Sequence, residues 1–396
     1  MKRVFLLGAC RTPIGKMGGA LSSLSAVELG AIVIKEAISR AKVPADCIDH
    51  VYMGCVIQAG LGQNVARQAS LKAGLPVTTT AQTVNVVCGS GLDAVNSAAR
   101  LIKAGEADIV VAGGMESMSN APFAIMNARF GYRMGSPLLE TPLVDTMVND
   151  GLWEAANNYH MGVTAENIAK EWKITKNELD AFAVESHKKA SKAMAEGRFA
   201  EEIVPVVIKA RNGSTVVDAD EGPRPDTSLE RLASLKPAFK LDGIVTAGNS
   251  SGISDGAAAI VLVSEDKINE LGLAPQAEWL GGALGGVDPA IMGIGPVVST
   301  NKLLDKLNMT IDDVDIVEAN EAFASQSIAV QRELNISDNK LNLNGGAIAL
   351  GHPIGATGCR ILVTLINIMR YKKANVGLAT LCIGGGMGCS TMIRSC

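Results

Sequence analysis

The sequence of 396 residues predicts an α/β protein built from two similar halves, with a third segment inserted into the first. Apolar strands such as 107–114 alternate with amphipathic helical stretches, a pattern typical of largely parallel sheets covered by helices. A pattern of SG, a helical stretch and ADIVVAG recurs as TG, a helical stretch and ANVGLAT, with Gly91 and Gly358 in equivalent positions. DCIDHV from Asp46 and DDVDIV from Asp312 repeat at nearly the same offset. Near-equal offsets in the same order indicate a duplication.

The inserted segment, 119–247, differs from both halves. It has no counterpart in the second half and is richer in charge, Asn, Pro and Met. A capping box, TKNE from Thr175, begins one helix in it, and Gly197 is expected to end that helix. Insertions on the loop side of α/β sheets commonly supply binding surfaces, so we expect this one to bind substrate. The predicted boundaries are 1–118 with 248–270 for the first half, 119–247 for the inserted loop domain and 271–396 for the second half.

Composition excludes several classes of protein. With 36 basic and 40 acidic side chains, the net charge of −4 creates no basic field for nucleic acid. Eight cysteines form no C-x-x-C pair and no zinc-ligand pattern, so no metal is expected. The apolar start is interrupted too early for a signal peptide, and the uncharged stretch 376–393 has a GGGMG centre that favours strand, turn and strand over a membrane helix. We therefore expect a soluble cytoplasmic protein with reduced thiols and neither nucleic-acid nor membrane partners.

Cys88 lies where an apolar run meets two glycines and a helix that Gly105 is expected to end. A thiol at such a turn lies beside free backbone N–H groups and the positive end of the helix dipole, which is expected to lower its pKa. From these residues alone, a nucleophile and a packed buried cysteine remain equally open. GSGLDA from Gly89 also fits a dinucleotide fingerprint, which would indicate an NAD-dependent dehydrogenase, but the acidic residue expected after the next strand is missing.

Three further segments carry candidate chemistry. His352 is surrounded by glycines, whose entropic cost indicates a sharp bend or close approach to a ligand, and it is the natural base for a cysteine. Cys382 ends another apolar strand at a glycine turn, and Asn320 follows a strand, where it could cap a helix or orient water. His50 and His187 lie in ordinary amphipathic patterns and are predicted to be surface or packing residues.

The chain resembles the thiolase family, and within it the biosynthetic acetyl-CoA acetyltransferases, in nine ordered segments: RTPIG, GQNVARQAS, CGSGL, AGGMESMS, YHMGVTAEN, TAGNSSGISDGAA, EANEAFA, GHPIGATG and CIGGGMG. The resemblance implies two α-β-α-β-α layered halves, each with a mixed five-stranded sheet, and a loop domain inserted in the first. It implies reversible Claisen condensation of two acetyl-CoA to acetoacetyl-CoA and CoA through an acetyl-cysteine. The alternative within the family is a broad-chain 3-ketoacyl-CoA thiolase of fatty-acid degradation, and YHMG around His160 favours the short-chain enzyme.

The same resemblance implies roles for matching residues. Cys88 corresponds to the nucleophile, His352 to the base that activates it, and Cys382 to the acid/base that handles the α-carbon proton. Asn320 would hold a water in one oxyanion hole together with His352, and the backbone amides of Cys88 and Gly384 would form the other. A thioester exchanges readily with a thiolate, and preorganised donors stabilise the enolate oxygen of the second step.

For coenzyme A, the resemblance places Arg224 at the nucleotide end and Ser251 at the pantetheine chain. The predicted apolar walls near the thioester are His160, Met161, Leu152 and Phe323. Coenzyme A thioesters are then substrates, no further cofactor is expected, and the family relationship implies a homo-oligomer, dimer or tetramer.

Three residues depart from the family pattern. Asp93 follows CGSGL and is expected to temper the lowered pKa of the nucleophile. Ser250 replaces the usual Ala in GNSSG, and Cys359 replaces the usual Ala after GHPIGATG. Cys359 is either an oxidisable thiol or, as the pattern favours, a packed core cysteine.

Overall fold

The computed structural model describes residues 2–126, 128–131, 143–210 and 213–396. Its strands, in chain order, are β1 (Val4–Arg11), β2 (Gly15–Lys16), β3 (His50–Gly54), β4 (Thr80–Val84), β5 (Ile109–Ser117), β6 (Phe123–Ile125), β7 (Leu143–Asp145), β8 (Trp153–Glu154), β9 (Tyr159–His160), β10 (Val206–Ala210), β11 (Gly213–Val217), β12 (Ser254–Ser264), β13 (Ala277–Gly286), β14 (Ile316–Ala319), β15 (Val376–Ile383) and β16 (Met387–Ser395). Its α-helices are α1 (Ala26–Ala41), α2 (Val65–Lys72), α3 (Ser90–Ala104), α4 (Met161–Glu171), α5 (Lys176–Ala195), α6 (Leu229–Ala233), α7 (Glu265–Leu271), α8 (Gly295–Leu307), α9 (Ala324–Glu333), α10 (Ala347–Leu350) and α11 (Ile354–Lys372). Strands and helices alternate through both halves, as the sequence predicts.

One mixed sheet runs through both halves in the order β14-β15-β16-β13-β1-β12-β5-β3-β4. In the first half β3 pairs in parallel with β4 and β5, whereas β12 pairs antiparallel with β5 and β1. The second half repeats this arrangement, with β14 and β15 parallel and β16 antiparallel to β15 and β13. The duplicated α/β fold is confirmed. The two sheets are also continuous, because β1 pairs with β13 at Phe5 and Leu6.

The outer edges of the two halves differ. β4 pairs with β3 over five residues, whereas the equivalent place beside β14 holds a single parallel bridge between Val317 and Leu341. The side chain of Asn342 explains the difference. It accepts from the N–H of Ala319 at 2.9 Å and donates to the Ala319 carbonyl at 2.8 Å, so it replaces the next rung of the ladder.

Helices α3 and α11 lie against each other at the centre of the molecule. Gly91 and Gly358, the positions that the repeat relates, both lie at this contact. A Cβ on Gly91 would stand 2.9 Å from the backbone N of Cys359, and one on Gly358 would stand 2.4 Å from the backbone N of Leu92. Only glycine permits backbones to approach this closely. Both helices begin near this contact, so the loops that precede them lie at the same end of the pair.

The insertion contributes β6 to β11 and α4 to α6, with 127, 132–142 and 211–212 outside the described residues. Its helix α5 begins at the predicted capping box, since the Thr175 side chain accepts from the Glu178 N–H. The fully buried Arg11 of β1 fastens the insertion to the sheet. Its Nε lies 2.7 Å from Glu202 Oε1, and its two Nη atoms lie 2.7 and 2.9 Å from the oxygens of Asp220. The insertion boundaries stay a prediction.

The uncharged C-terminal stretch forms β15 and β16, which pair antiparallel across a glycine turn. Gly385 and Gly386 adopt φ of 83° and 84° in that turn, a region that favours glycine. Within the described ranges, no helix combines the length and the apolar character that crossing a bilayer requires.

Candidate active site

Cys88 lies in a sharp turn between β4 and α3. Val87, just before it, has a φ of 48°, which is rare for a β-branched residue. Ser90 holds the turn, because its Oγ donates to the Val87 carbonyl at 2.6 Å and accepts from the Val86 N–H at 3.0 Å. Backbone strain of this kind clusters at functional sites. The turn leaves Cys88 only 9% exposed.

Burial raises the pKa of the Cys88 thiol to about 11. The backbone N–H groups of Gly384 and of Cys88 itself hydrogen-bond to the sulfur and act in the opposite direction. The prediction of a lowered pKa is therefore wrong for the resting protein, because the cost of an enclosed thiolate outweighs two amide dipoles. Asp93 is not among the groups that shift the Cys88 pKa, and its carboxylate pairs with the Arg100 guanidinium at 3.4 Å.

The second thiol is a close neighbour of the first. Cys382 is the penultimate residue of β15, and the last residue, Ile383, packs on the Cys88 turn, since a Cβ on Gly89 would lie 2.3 Å from Ile383 Cδ1. Burial raises the pKa of Cys382, and the proximity of Cys88 raises it further. Both thiols are therefore neutral at rest and close enough to influence each other.

The tautomer of His352 follows from its hydrogen bonds. Its Nδ1 lies 2.6 Å from the Thr357 hydroxyl, and that hydroxyl donates its only proton to the Pro353 carbonyl at 2.8 Å. Thr357 Oγ1 must therefore accept from Nδ1–H, which leaves Nε2 without a proton. Nε2 is buried and has no hydrogen-bond partner among the described residues. His352 is thus a free base, and burial lowers its pKa to about 3. Thr357 was missed by sequence reasoning, although its place in GHPIGATG, five residues after the histidine and in the first turn of α11, could have drawn attention to it.

Asn320 carries a second unpaired group. It follows β14 and its N–H donates to the Thr380 carbonyl of β15 at 3.0 Å, so it lies beside the strand that carries Cys382. It does not cap α9, whose N-cap residue is Phe323. Its side chain is buried, and neither Oδ1 nor Nδ2 has a partner in the described part of the chain. Buried amides are nearly always bonded, so this one is available to a ligand or a water.

Two of the residues predicted to bind substrate meet around one aromatic side chain, and a third lies beside one of them. His160 stacks on Phe239 with ring centroids 4.7 Å apart, and Phe239 meets Phe323 edge to face at 6.0 Å. The N–H of Ser251 donates to the Ala322 carbonyl at 3.0 Å, beside Phe323. Phe239 was missed by sequence reasoning. The signal was an aromatic residue in the Lys- and Pro-containing segment KPAFK, in a chain with few aromatic residues.

Two of the four residues predicted as apolar walls belong to, or pack on, the apolar clusters that contain the thiols. Met161 shares an apolar cluster with Cys382, and a Cβ on Gly384 would lie 2.5 Å from the Met161 methyl. Leu152 packs against a second cluster, which contains Cys88. An acyl group on either sulfur would therefore meet apolar side chains.

Arg224 lies on the exposed surface of the insertion and is held by His187 of α5. Its N–H donates to His187 Nδ1 at 3.1 Å, and its Nη2 lies 3.2 Å from His187 Nε2. Burial, and then the adjacent guanidinium, lower the pKa of His187 to about 4. His187 is thus a packing residue, as predicted, that also orients the arginine expected at the nucleotide end.

Two alternatives lose their support. The first is the NAD-dependent dehydrogenase. Gly91 of GSGLDA is required by the close contact between α3 and α11, so the presence of a glycine there does not indicate a bound pyrophosphate. Cys359 is fully buried in the core and its Sγ lies 4.0 Å from the Ala112 carbonyl, which agrees with a packed cysteine. Across the described residues, no cluster of His, Cys, Asp and Glu could hold a metal ion.

The fold and the site define a class: duplicated α/β proteins with two adjacent buried thiols, and a buried imidazole base before the second of two central helices. Family models for "Thiolase, N-terminal domain" and "Thiolase, C-terminal domain" match residues 4–266 and 273–395. The chain belongs to the thiolase family.

Individual relatives resemble the chain over its whole length. An acetyl-CoA acetyltransferase from Syntrophomonas wolfei is 55% identical over 396 residues, covering 100% of this chain and 99% of that protein. The crystal structure of the Bacillus anthracis acetyl-CoA acetyltransferase has a TM-score of 0.97 at 44% identity and covers 100% of this chain and 99% of its own. Human mitochondrial 3-ketoacyl-CoA thiolase has a TM-score of 0.96 at 40% identity with the same coverage.

Proposed function

We propose that this protein is an acetyl-CoA C-acetyltransferase that reversibly condenses two acetyl-CoA to acetoacetyl-CoA and CoA through an acetyl-Cys88 intermediate. The observation that carries the proposal is a pair of neighbouring thiols, Cys88 and Cys382, in a site that also offers an unprotonated imidazole nitrogen on His352 and an unpaired amide on Asn320. The relatives named acetyl-CoA acetyltransferase support the choice of substrate.

Acylation uses both thiols. Cys88 Sγ attacks the thioester carbonyl while its proton moves to His352 Nε2, so the attack does not require a free thiolate at rest. The C–S bond to coenzyme A breaks, and the departing sulfur takes the proton of Cys382. Amides of Cys88 and Gly384 that already hydrogen-bond to the sulfur are suited to hold the carbonyl oxygen, with each such donor worth about 3 kcal/mol. The products are acetyl-Cys88, CoA, a Cys382 thiolate and a protonated His352.

Condensation returns both protons. The Cys382 thiolate removes an α-proton from the second acetyl-CoA, and the enolate oxygen is met by His352 Nε2–H and by a water held on Asn320. The enolate carbon attacks the acetyl carbonyl, and the bond to Cys88 breaks. The Cys88 sulfur then takes the proton of His352. Every group ends as it began, so the reaction is balanced without an external acid or base.

Mass spectrometry of the protein exposed to acetyl-CoA tests the proposal directly. We expect one acetyl group on Cys88 and none on a Cys88→Ala variant. Cys359→Ala, which alters a core cysteine outside the site, is the matched control and should acetylate normally. Acetylation elsewhere, or full activity of Cys88→Ala with acetoacetyl-CoA and CoA, would contradict it.

A broad-chain 3-ketoacyl-CoA thiolase is the second candidate, favoured by the likeness to the human mitochondrial enzyme. Met161 packs on Gly384, and Phe239, on which His160 stacks, packs against the apolar cluster that contains Cys382; bulky side chains in this cluster favour a short acyl chain. A series of 3-ketoacyl-CoA substrates separates the two, since we expect activity to fall steeply beyond acetoacetyl-CoA. Thermal shift with CoA but not with NAD(H) would remove the dehydrogenase alternative.

We further propose a cytoplasmic homo-oligomer, dimer or tetramer, that needs no cofactor beyond its CoA substrates. β4 is the last strand of the sheet, and Phe123, Ile125 and Leu143 of the β6–β7 hairpin are 52–60% exposed, both of which are typical of interfaces. Eight unpaired cysteines suit a reducing compartment. Light scattering would measure the oligomeric state, and cell fractionation would show the location. Activity that is unchanged after dialysis against EDTA would show that the enzyme needs no metal.

A further inference from the structure

A buried carboxyl group that the proposed mechanism does not use lies where the two halves meet. Glu116, near the end of β5, is fully buried. Its Oε2 accepts from the backbone N–H of Val56 at 3.0 Å and from that of Gly355 at 2.8 Å. Its Oε1 accepts from the N–H of Ile57 at 3.1 Å and from the thiol of Cys55 at 3.6 Å. Glu116 therefore joins the segment after β3, in the first half, to the start of α11, in the second.

Helix α11 has no cap of its own. Its N-cap residue, Pro353, makes no side-chain hydrogen bond to the helix, so the Gly355 N–H needs an acceptor from elsewhere. Glu116 supplies that acceptor. Burial raises the pKa of Glu116 and the N–H groups lower it, but Oε2 accepts from its two partners in either form, since a backbone N–H can only donate.

The first turn of α11 lies directly against the ends of β3 and β5. A Cβ on Gly54 of β3, or on Gly114 of β5, would collide with the Gly355 carbonyl oxygen. A Cβ on Gly355 itself would lie 2.7 Å from Glu116 Oε2. Only glycine permits so close an approach. A helix of the second half is thus held on strands of the first, with Glu116 as its hydrogen-bond acceptor.

The same turn of α11 carries the candidate base. His352 lies just before the helix, and its Nδ1–H is held at 2.6 Å by Thr357 of the first turn. The nucleophile Cys88 belongs to the first half, and the charge of Glu116 is among the groups that raise its pKa. A contact that fixes the start of α11 on the first half therefore also fixes His352 Nε2 relative to the Cys88 sulfur.

The internal repeat gives independent support. Its offset relates Cys88 to Gly355 and Glu116 to Ile383. At the start of α3 the strand end contributes the apolar Ile383, and the Cys88 N–H stays available to its own sulfur. At the start of α11 the equivalent N–H, that of Gly355, is taken by Glu116. One helix start is therefore open to reacting atoms, whereas the other is closed by a protein side chain.

We propose that Glu116 is a positioning residue: it replaces the missing cap of α11 and thereby aligns His352, in the second half, with Cys88, in the first. The inference rests on the proposed function, because it requires His352 to take the Cys88 proton. Misplacement of a reacting group by about 1 Å costs up to ~100-fold in rate, so this contact affects the chemistry even where the fold survives.

The single-turnover rate of Cys88 acetylation by acetyl-CoA, followed by mass spectrometry, tests this role. Glu116→Gln keeps one acceptor oxygen but turns an amide N–H₂ toward backbone N–H donors, so the contact with α11 or with the segment after β3 is lost. We expect the acetylation rate to fall on the order of ten- to a hundred-fold. The Kd for CoA should stay unchanged, because Glu116 contacts none of the residues predicted to bind it.

A double variant separates positioning from a merely structural role. Once His352→Ala has removed the base, its alignment no longer matters. Adding Glu116→Gln should then change the remaining acetylation rate by less than about two-fold. A structural role would instead slow His352→Ala by the same factor as it slows the natural protein.

Asp49→Asn is the matched control. Asp49 also holds backbone N–H groups, those of Asp108 and Ile109 at 2.8 and 3.0 Å, but at the opposite end of β5. We expect its acetylation rate to equal that of the natural protein.

Several results would overturn the proposal. They are an unchanged acetylation rate in Glu116→Gln, an equal loss in Asp49→Asn, a weaker Kd for CoA that accounts for the loss, or equal slowing with and without His352. Should Glu116→Gln fail to fold, Glu116→Asp, which draws the carboxyl group back by one methylene, provides the same comparison with the same expected and contradicting results. If the natural protein does not acetylate Cys88, the proposed function itself fails, which distinguishes that outcome from failure of this inference.

Discussion

At the scale of single residues, burial keeps the reacting groups of the site neutral. The Cys88 pKa of about 11 lies above, and the His352 pKa of about 3 lies below, the physiological range. The thiol ionises only as pH rises toward 11, and the imidazole gains a proton only as pH falls toward 3. We therefore expect the rate of Cys88 alkylation by iodoacetamide to rise continuously from pH 7 to pH 10, measured by peptide mass spectrometry. The exposed Cys396 serves as an internal reference, and a Cys88 rate that is already constant from pH 7 would contradict this prediction.

Thr357 is the residue that makes His352 a base. Thr357→Val keeps the shape of the side chain but removes the acceptor for Nδ1–H, so the ring loses its fixed tautomer and orientation. We expect kcat for acetoacetyl-CoA thiolysis to fall on the order of ten- to a hundred-fold, within what general base catalysis contributes. Thr357→Ser keeps the hydroxyl and should retain most activity. Equal activity of the Val and Ser variants, with unchanged Tm, would show that the hydrogen bond does not matter.

At the scale of elements, the contact between α3 and α11 decides how the two halves meet. Gly358→Ala would place a methyl group 2.4 Å from the backbone N of Leu92, which cannot move without shifting α3. We expect a loss of about 1–3 kcal/mol in the free energy of unfolding, measured in urea, and reduced activity because both helices begin at the site. Gly286→Ala is the matched control, since no atom lies within 4 Å of the added methyl group. Equal stability of the two variants would contradict the argument.

The same elements show how far sequence reasoning reaches. The repeat relating Gly91 to Gly358 predicted two similar halves, because a duplication leaves similar segments at a nearly constant offset along the sequence. It could not predict that these glycines touch, nor that Asn342 replaces a rung of the sheet, because both depend on elements distant in the chain. The pKa of Cys88 was predicted with the wrong sign for the same reason: the helix dipole is local and visible, whereas burial comes from the whole fold.

At the scale of the whole molecule, a buried polar network joins the halves. Asn96 of α3, in the first half, accepts from Trp279 Nε1 at 3.0 Å and from Thr391 Oγ1 at 2.9 Å, both in the second half. Its Nδ2 lies 3.4 Å from Cys389 Sγ and from the Ser390 carbonyl. Together with the continuous sheet, this network predicts that the halves unfold as one unit.

Asn96→Leu tests that prediction at nearly constant volume. It leaves the buried donors of Trp279 and Thr391 without their acceptor, and each unpaired group costs ~1–3 kcal/mol. We expect a lower urea midpoint, with Trp fluorescence and far-UV circular dichroism still following one transition. Asn339→Ala, at an exposed position, is the control and should change stability by less than about 0.5 kcal/mol. In a Trp153→Phe, Trp172→Phe background, where Trp279 alone reports the second half, fluorescence and circular dichroism transitions that separate would mean that the halves unfold independently, because circular dichroism reports both halves.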